Sequence, residues 1–182
     1  MKNSIKISRL AQFVGIIALS FLTFSGCDSS SNPKVVEPIH SCEILTVSEV
    51  EKILGSPVEQ PPSETHSEQE DLNHWMSSCS YYAPESNISA GLLIRPLPNN
   101  KQEPEAAYDA YTKQYKESWP DVDIQPVEGI ANKAFWAESL GQLTIFSNSY
   151  MYIISARAKD RTDQEKRDLV EQLATAVLAK AH

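Results

Sequence analysis

The amino-acid sequence predicts an α+β domain in which helices cover an antiparallel sheet. Two observations carry this prediction. Helical patterns with N-terminal capping signals begin at Thr46 and at Thr162. Between them, short apolar runs are separated by turn residues, which favours strands that follow one another and pair antiparallel. The order α-β-β-α-β-β-β-α gives about five strands and about three helices.

The first predicted helix lies in the segment LTVSEVEKILGSP, residues 45–57. Thr46 is followed three residues later by Glu49, which is the spacing of a capping box, and Gly55 ends the helix. The following stretch, residues 59–74, is acidic and contains almost no apolar side chains. It therefore predicts a loop.

The remaining elements follow from apolar periodicity. The predicted strands are residues 76–83, residues 91–98, one run within 127–138 and a hairpin over 141–158. A helix over residues 103–120 carries tyrosines on one face, which we expect to pack on the sheet: Tyr108, Tyr111 and Tyr115. The terminal helix begins at Thr162, has Glu165 in its capping box and presents one apolar face.

The N-terminal segment, residues 1–26, has the features of a secretory signal peptide. It begins with basic residues, continues through a short apolar run and ends in small residues before Cys27. Polar residues interrupt the run, which argues against a permanent membrane span. The sequence Phe24-Ser25-Gly26-Cys27 resembles the lipobox of bacterial lipoproteins. The resemblance implies cleavage before Cys27 and acylation of its sulfur and its new amine by lipids such as palmitate.

The lipobox resemblance predicts a protein anchored in a bacterial cell envelope, facing the periplasm or the exterior. Asp28 is similar to a signal that retains enteric lipoproteins in the inner membrane, although other lineages follow other rules. Residues 27–41 are expected to consist of the acylated cysteine and a flexible tether. The tether is predicted because these residues are polar and include two prolines. Residues 42–182 then form a single α+β domain. The alternative is an ordinary secreted protein in which Cys27 is incidental.

The other two cysteines predict one disulfide. Once Cys27 is assigned to lipid, Cys42 and Cys79 remain as an even pair in an exported chain. A metal site at these cysteines is the alternative, but the sequence lacks the CxxC or paired-histidine spacing of such sites.

Composition and motifs limit the function. The net charge is −8 and becomes more negative without the basic leader, which argues against nucleic acid as a partner. No catalytic or cofactor-binding motif is present, so no catalytic residue, cofactor or metal is predicted. A metal site in the acidic stretch is the alternative, with ligands drawn from His66, His74, Glu64, Glu68, Glu70 and Asp71.

The layout of the chain from the second cysteine onward resembles a group of small bacterial envelope lipoproteins of unassigned function. The matching motifs are Ile44-Leu45-Thr46, Gly55, Cys79-Ser80-Tyr81 and residues 129–134. Ala131 stands where that group has a second glycine, and Asn132 stands where it has aspartate. The resemblance implies a disulfide-linked α+β domain and assigns no catalytic residue.

Aromatic residues are the remaining candidates for a binding site. They predict a groove for a sugar or a peptide. Its lining would consist of Tyr82 and four further aromatic residues: Trp75, Tyr81, Trp119 and Trp136. Burial in the core is the alternative for each of them. The favoured function is a non-enzymatic accessory or scaffold that binds an envelope protein. Binding of a small ligand or carbohydrate is the alternative, and an envelope hydrolase is the third hypothesis.

Overall fold

The computed structural model describes residues 36–69, 74–97 and 103–181, all within one unit of the chain, Pro33–His182. The predicted leader, Cys27 and the first part of the tether lie outside the described residues. The α+β class is confirmed. The described residues form a seven-stranded antiparallel sheet and four α-helices, so the predicted counts of five strands and three helices were too low.

The elements follow one another in two meanders of strands separated by a helix. The helices are α1 (Ser41–Ile44), α2 (Val47–Leu54), α3 (Pro104–Ser118) and α4 (Asp163–Leu178). The strands are β1 (Ser63–Gln69), β2 (His74–Ala83), β3 (Ile88–Pro96), β4 (Ile124–Pro126), β5 (Lys133–Ala137), β6 (Gln142–Ser147) and β7 (Tyr150–Ala158). The sheet order is β1-β2-β3-β7-β6-β5-β4, so the meanders join where β3 pairs with β7.

Both predicted capping boxes are confirmed. Thr46 donates its backbone N–H and its hydroxyl to Glu49 Oε2, at 2.9 and 2.7 Å, and Thr162 bonds to Glu165 in the same way. Lys180 Nζ lies 2.7 Å from the same oxygen of Glu49 and so ties the C-terminal end of the domain to α2. Burial raises the pKa of Glu49, but the hydrogen bonds from Lys180 and Thr46 outweigh it and hold this pKa below its usual value.

Part of the predicted acidic loop is a strand. All seven residues of β1 pair with β2, from Ser63 opposite Ser80 to Gln69 opposite His74. The sequence prediction was wrong for this segment because backbone pairing with β2 forms the strand, whereas apolar alternation is absent from it. The short elements α1 and β4 were also missed, since four and three residues are too few to produce a periodic signal.

Helices cover the two faces of the sheet unequally. On one face α1, α2 and α4 bury the main core, which includes Cys79, Leu92, Ile154 and Val170. On the other face α3 packs on β5 and β6. Among the described elements, α3 makes no contact of similar extent with any other strand. There the tyrosines of α3 pack on two phenylalanines as predicted, with ring centroids 5.5 Å apart for Tyr115 and Phe135.

A group of cross-links fastens α1 to β2. The predicted disulfide between Cys42 and Cys79 is present, with Cα atoms 5.2 Å apart. Beside it, Ser41 donates its backbone N–H to Ser77 Oγ at 2.9 Å and its hydroxyl to the Ser77 carbonyl at 2.7 Å. The Tyr81 hydroxyl donates to the carbonyl of Leu45. These contacts join segments about 36 residues apart and close the first half of the core.

The chain enters the domain before the predicted boundary at Cys42. Trp75 Nε1 donates to the carbonyl of Val36 at 2.9 Å, and the Tyr150 hydroxyl donates to the carbonyl of Glu37 at 3.3 Å. Val36 and Ile39 also pack against the core. Residues 36–41, which the sequence places in the tether, therefore contact the folded domain.

Candidate functional site

The structure does not bring the four predicted aromatic residues together. Trp75, Tyr81 and Trp136 are buried in the core, whereas Trp119 follows the end of α3 and is 58% exposed. Burial raises the pKa of the Tyr81 hydroxyl, and the charges of Glu49 and Glu64 raise it further. These three buried side chains stabilise the fold in this conformation. Tyr82, which points away from the core, is 39% exposed.

Two histidines and one acid form a small surface cluster at β1: His40, His66 and Glu64. The rings of His40 and His66 stack with centroids 4.7 Å apart, and His40 Nδ1 lies 3.4 Å from Glu64 Oε1. Within the described ranges, no group of three or more residues is arranged to hold a metal ion. The predicted candidates Glu70 and Asp71 lie outside these ranges, as do the side chains of Glu68 and His74.

The part of the sheet that α3 leaves uncovered carries small polar side chains. Four residues stand opposite one another across four strands and form what we call the serine row: Ser63, Ser80, Gly91 and Ser155. A second row lies beside it and consists of Tyr82, Ser89 and Arg157. None of the serines in these rows is buried, so their hydroxyl groups are open to solvent or to a ligand.

Two depressions share residues of this face. The first has a volume of about 470 Å³, and its lining includes the serine row, Glu59, Pro61, Tyr82 and Arg157. The second, of about 590 Å³, extends to the start of α4, and its lining includes Asn87, Glu138, Ser139, Lys159, Asp163 and Lys166. Ser89 and Arg157 line both depressions. We call the joined depressions the Arg157 groove.

Sequence reasoning missed the Arg157 groove. Arg157 lies within an apolar run, and from sequence alone such a residue reads as a solvated side chain. The serines at positions 78 and 80 do alternate with buried residues of β2, which is a weak signal for an exposed polar face. No local pattern reveals that β2, β3 and β7 are neighbours, because β7 follows β3 by more than 50 residues of chain.

The edge strand β1 is a second exposed feature. Among the described strands β1 pairs with β2 only, and no described strand pairs with its other edge. Ser63, Glu64, Thr65 and Ser67 are all exposed. The strand contains no lysine, arginine or proline, and its register with β2 continues without a bulge.

The fold and these surfaces define a disulfide-linked α+β domain with a half-covered sheet, a groove of mixed polarity and a seven-residue edge strand, β1. No model of a protein family matches the chain, and no curated protein or solved structure matches it. Among the helices that the structure describes, none is long and apolar enough to cross a membrane.

Proposed function

We propose that the protein is a lipid-anchored lipoprotein of the bacterial cell envelope whose domain is a non-enzymatic accessory. In this proposal Cys27 carries the lipid, and the domain holds an extended segment of a partner protein along β1. The observation that carries the binding proposal is the position of β1 at the end of the sheet, where no other described strand pairs with its outer edge. The lipobox resemblance at residues 24–27 and the pairing of the other two cysteines support the location in the cell envelope.

The edge of β1 has the properties of a strand that accepts another strand. Natural sheets protect their edges with charged side chains, lysine above all, and with proline, bulges or very short strands, because unpaired backbone groups recruit other chains. The seven residues of β1 contain no lysine, proline or bulge. The acids of the strand, Glu64 and Glu68, repel an acidic segment but not a basic one. A partner segment added here gains backbone hydrogen bonds along its length.

Charge complementarity indicates the chemistry of the partner segment. Glu64 is an exposed acid on β1, and the whole chain has a net charge of −8. Opposite charges on facing strand positions stabilise a pair by about 0.2–1 kcal/mol. The proposed partner is therefore an extended segment with a basic side chain opposite Glu64, attracted over longer distances by the acidic domain.

The anchor is tested by changing Cys27 to serine. We expect mass spectrometry of the N-terminal peptide from the bacterial membrane fraction to find an acylated Cys27 as the first residue. The Cys27→Ser variant is expected to lose the added lipid mass and to leave the membrane fraction, since the acyl chains supply the binding free energy. An unmodified Cys27 in the mature natural protein would contradict the lipoprotein proposal.

The partner is tested by crosslinking in cells. A photoreactive residue at the exposed position Ser67 on β1 is expected to capture one recurrent envelope protein, while the same residue at the exposed Gln172 on α4 captures none. Thr65→Lys is expected to lower this capture about two- to fivefold, because it repels a basic partner. Gln172→Lys adds the same charge elsewhere and serves as the matched control.

Two outcomes would count against strand addition. Equal capture from Ser67 and Gln172 means that the contacts are non-specific. Capture of the same partner that is unaffected by Thr65→Lys means that the partner binds to another surface of the domain.

A further inference from the structure

We propose that the Arg157 groove binds a saccharide that carries a carboxylate group. This inference goes beyond the proposed protein partner, because it concerns the uncovered face of β2, β3 and β7 rather than the edge of β1. It also requires no lipid anchor. Four properties of the groove carry it: its charge, its hydroxyl groups, its exposed aromatic ring and its flat floor.

Acidic and basic residues both line the groove: Glu59, Glu138 and Asp163, and Arg157, Lys159 and Lys166. Within this mixed lining, the guanidinium of Arg157 is the group that points to an anionic ligand. Arg157 is exposed, and it forms no ion pair with any acid among the residues that the structure describes. Lys159, two residues further along the chain, is also exposed and also forms no ion pair with an acid in the described part of the chain. Lys166, in contrast, forms an ion pair with Asp163, with Nζ 2.9 Å from Oδ1. An unpaired guanidinium offers a planar pair of donors to a carboxylate, which it holds with two parallel hydrogen bonds.

The hydroxyl groups of the groove point to a polyhydroxylated ligand. Ser63, Ser80, Ser89 and Ser155 line it, and each hydroxyl both donates and accepts hydrogen bonds, as sugar hydroxyls do. The exposed ring of Tyr82 stands beside Ser89 and offers a flat surface for the apolar face of a sugar ring. Polar and apolar surface share the lining about equally, so a saccharide can use both, its hydroxyls on the polar part and its ring faces on the apolar part.

Gly91 keeps the floor of the groove flat. A Cβ atom at this position would lie 3.1 Å from Ser155 Oγ and 4.0 Å from Ser80 Oγ, so any side chain would stand between the two hydroxyls. Gly91 has no positive φ that would require glycine. Glycine inside a central strand weakens the strand, and one reason to place it there is the close approach of a ligand.

The groove is also clear of the segment by which the chain enters the domain. Tyr150 at the start of β7 contacts Glu37, and Arg157 lies seven residues further along the same strand. At about 3.3 Å per residue Arg157 is about 23 Å along the strand from Tyr150. None of the described residues of the entering segment, 36–41, lines either depression.

The test is a titration of the full-length protein in detergent with two oligosaccharides of equal length. Calorimetry is expected to detect binding of a uronic acid oligomer, here oligogalacturonate, and at least about tenfold weaker binding of the neutral galactose oligomer. Arg157→Gln is expected to weaken the uronate complex by about ten- to hundredfold. Arg95→Gln is the matched control, because Arg95 lies on the same face of β3 about 20 Å along the strand from Ser89.

A second variant separates loss of binding from loss of folding. Gly91→Val fills the floor of the groove, and the Ser155 side chain has to move by a few tenths of an ångström to admit the new Cβ. The thermal unfolding midpoint is measured in parallel, and the variant that is folded at the titration temperature is expected to bind uronate at least about tenfold more weakly. Absence of uronate binding to the wild type would overturn the proposal. So would equal binding of the neutral oligomer, uronate binding that survives both Arg157→Gln and Gly91→Val, or tighter binding of a short peptide with a free carboxylate.

Discussion

Replacing both Cys42 and Cys79 with alanine is expected to lower the free energy of unfolding by about 4 kcal/mol. The disulfide links residues 37 positions apart and so restricts the unfolded chain over a long loop. It also fastens α1 to β2 beside the Ser41–Ser77 hydrogen bonds. A domain of this size is stable by about 5–15 kcal/mol in total, so this is a large fraction of its stability.

Urea unfolding followed by tryptophan fluorescence measures the loss, and a reducing agent on the wild-type protein is expected to reproduce it. Cys27→Ser retains the disulfide and is the control for removal of a cysteine. If the reduced and oxidised proteins unfold at the same urea concentration, the cross-link does not stabilise the domain.

Trp136→Ala is expected to destabilise the domain by about 3–5 kcal/mol, whereas Trp119→Ala is expected to change the stability by less than about 0.5 kcal/mol. Trp136 is 3% exposed and belongs to the core between β5 and α4, with the Arg167 guanidinium 6.0 Å from its ring centroid. Removing the indole leaves a cavity that the packed neighbours fill only in part. Trp119 is 58% exposed at the end of α3, so its removal leaves no cavity.

The two tryptophans form a matched pair, since the same substitution is made in opposite environments. Thermal unfolding monitored by circular dichroism measures both, with each variant compared with the wild type. A large loss for Trp119→Ala would indicate that this side chain is covered in solution by another molecule or another copy of the chain. A negligible loss for Trp136→Ala would contradict its place in the core.

The features that were predicted correctly are encoded in short segments. The capping boxes at Thr46 and Thr162 each require only four residues, and the hairpin between β6 and β7 is closed by Asn148, whose φ of +53° suits asparagine. The cysteine pairing followed from the number of cysteines and the expected compartment. In each case the information lies within a few residues or in a simple count.

The features that were missed depend on pairing between distant segments. The sequence of β1 is polar throughout, and it forms a strand because β2 presents a ladder of backbone groups to it. Tyr81 and Tyr82 are adjacent, and strand alternation alone places them on opposite faces. Which of these faces is buried depends on where α1, α2 and α4 pack, and no residue near the two tyrosines encodes that.

The sequence by itself determined the fold class, the capped helices and the identity of the disulfide, because hydrogen-bonding and periodic signals act over a few residues. The tertiary structure alone decided that α3 covers only part of its face of the sheet. That partial cover exposes the serine row and leaves Arg157 without an acidic partner in the described part of the chain. The candidate surfaces exist because strands from both halves of the chain meet in one sheet, and such a meeting leaves no local trace in the sequence.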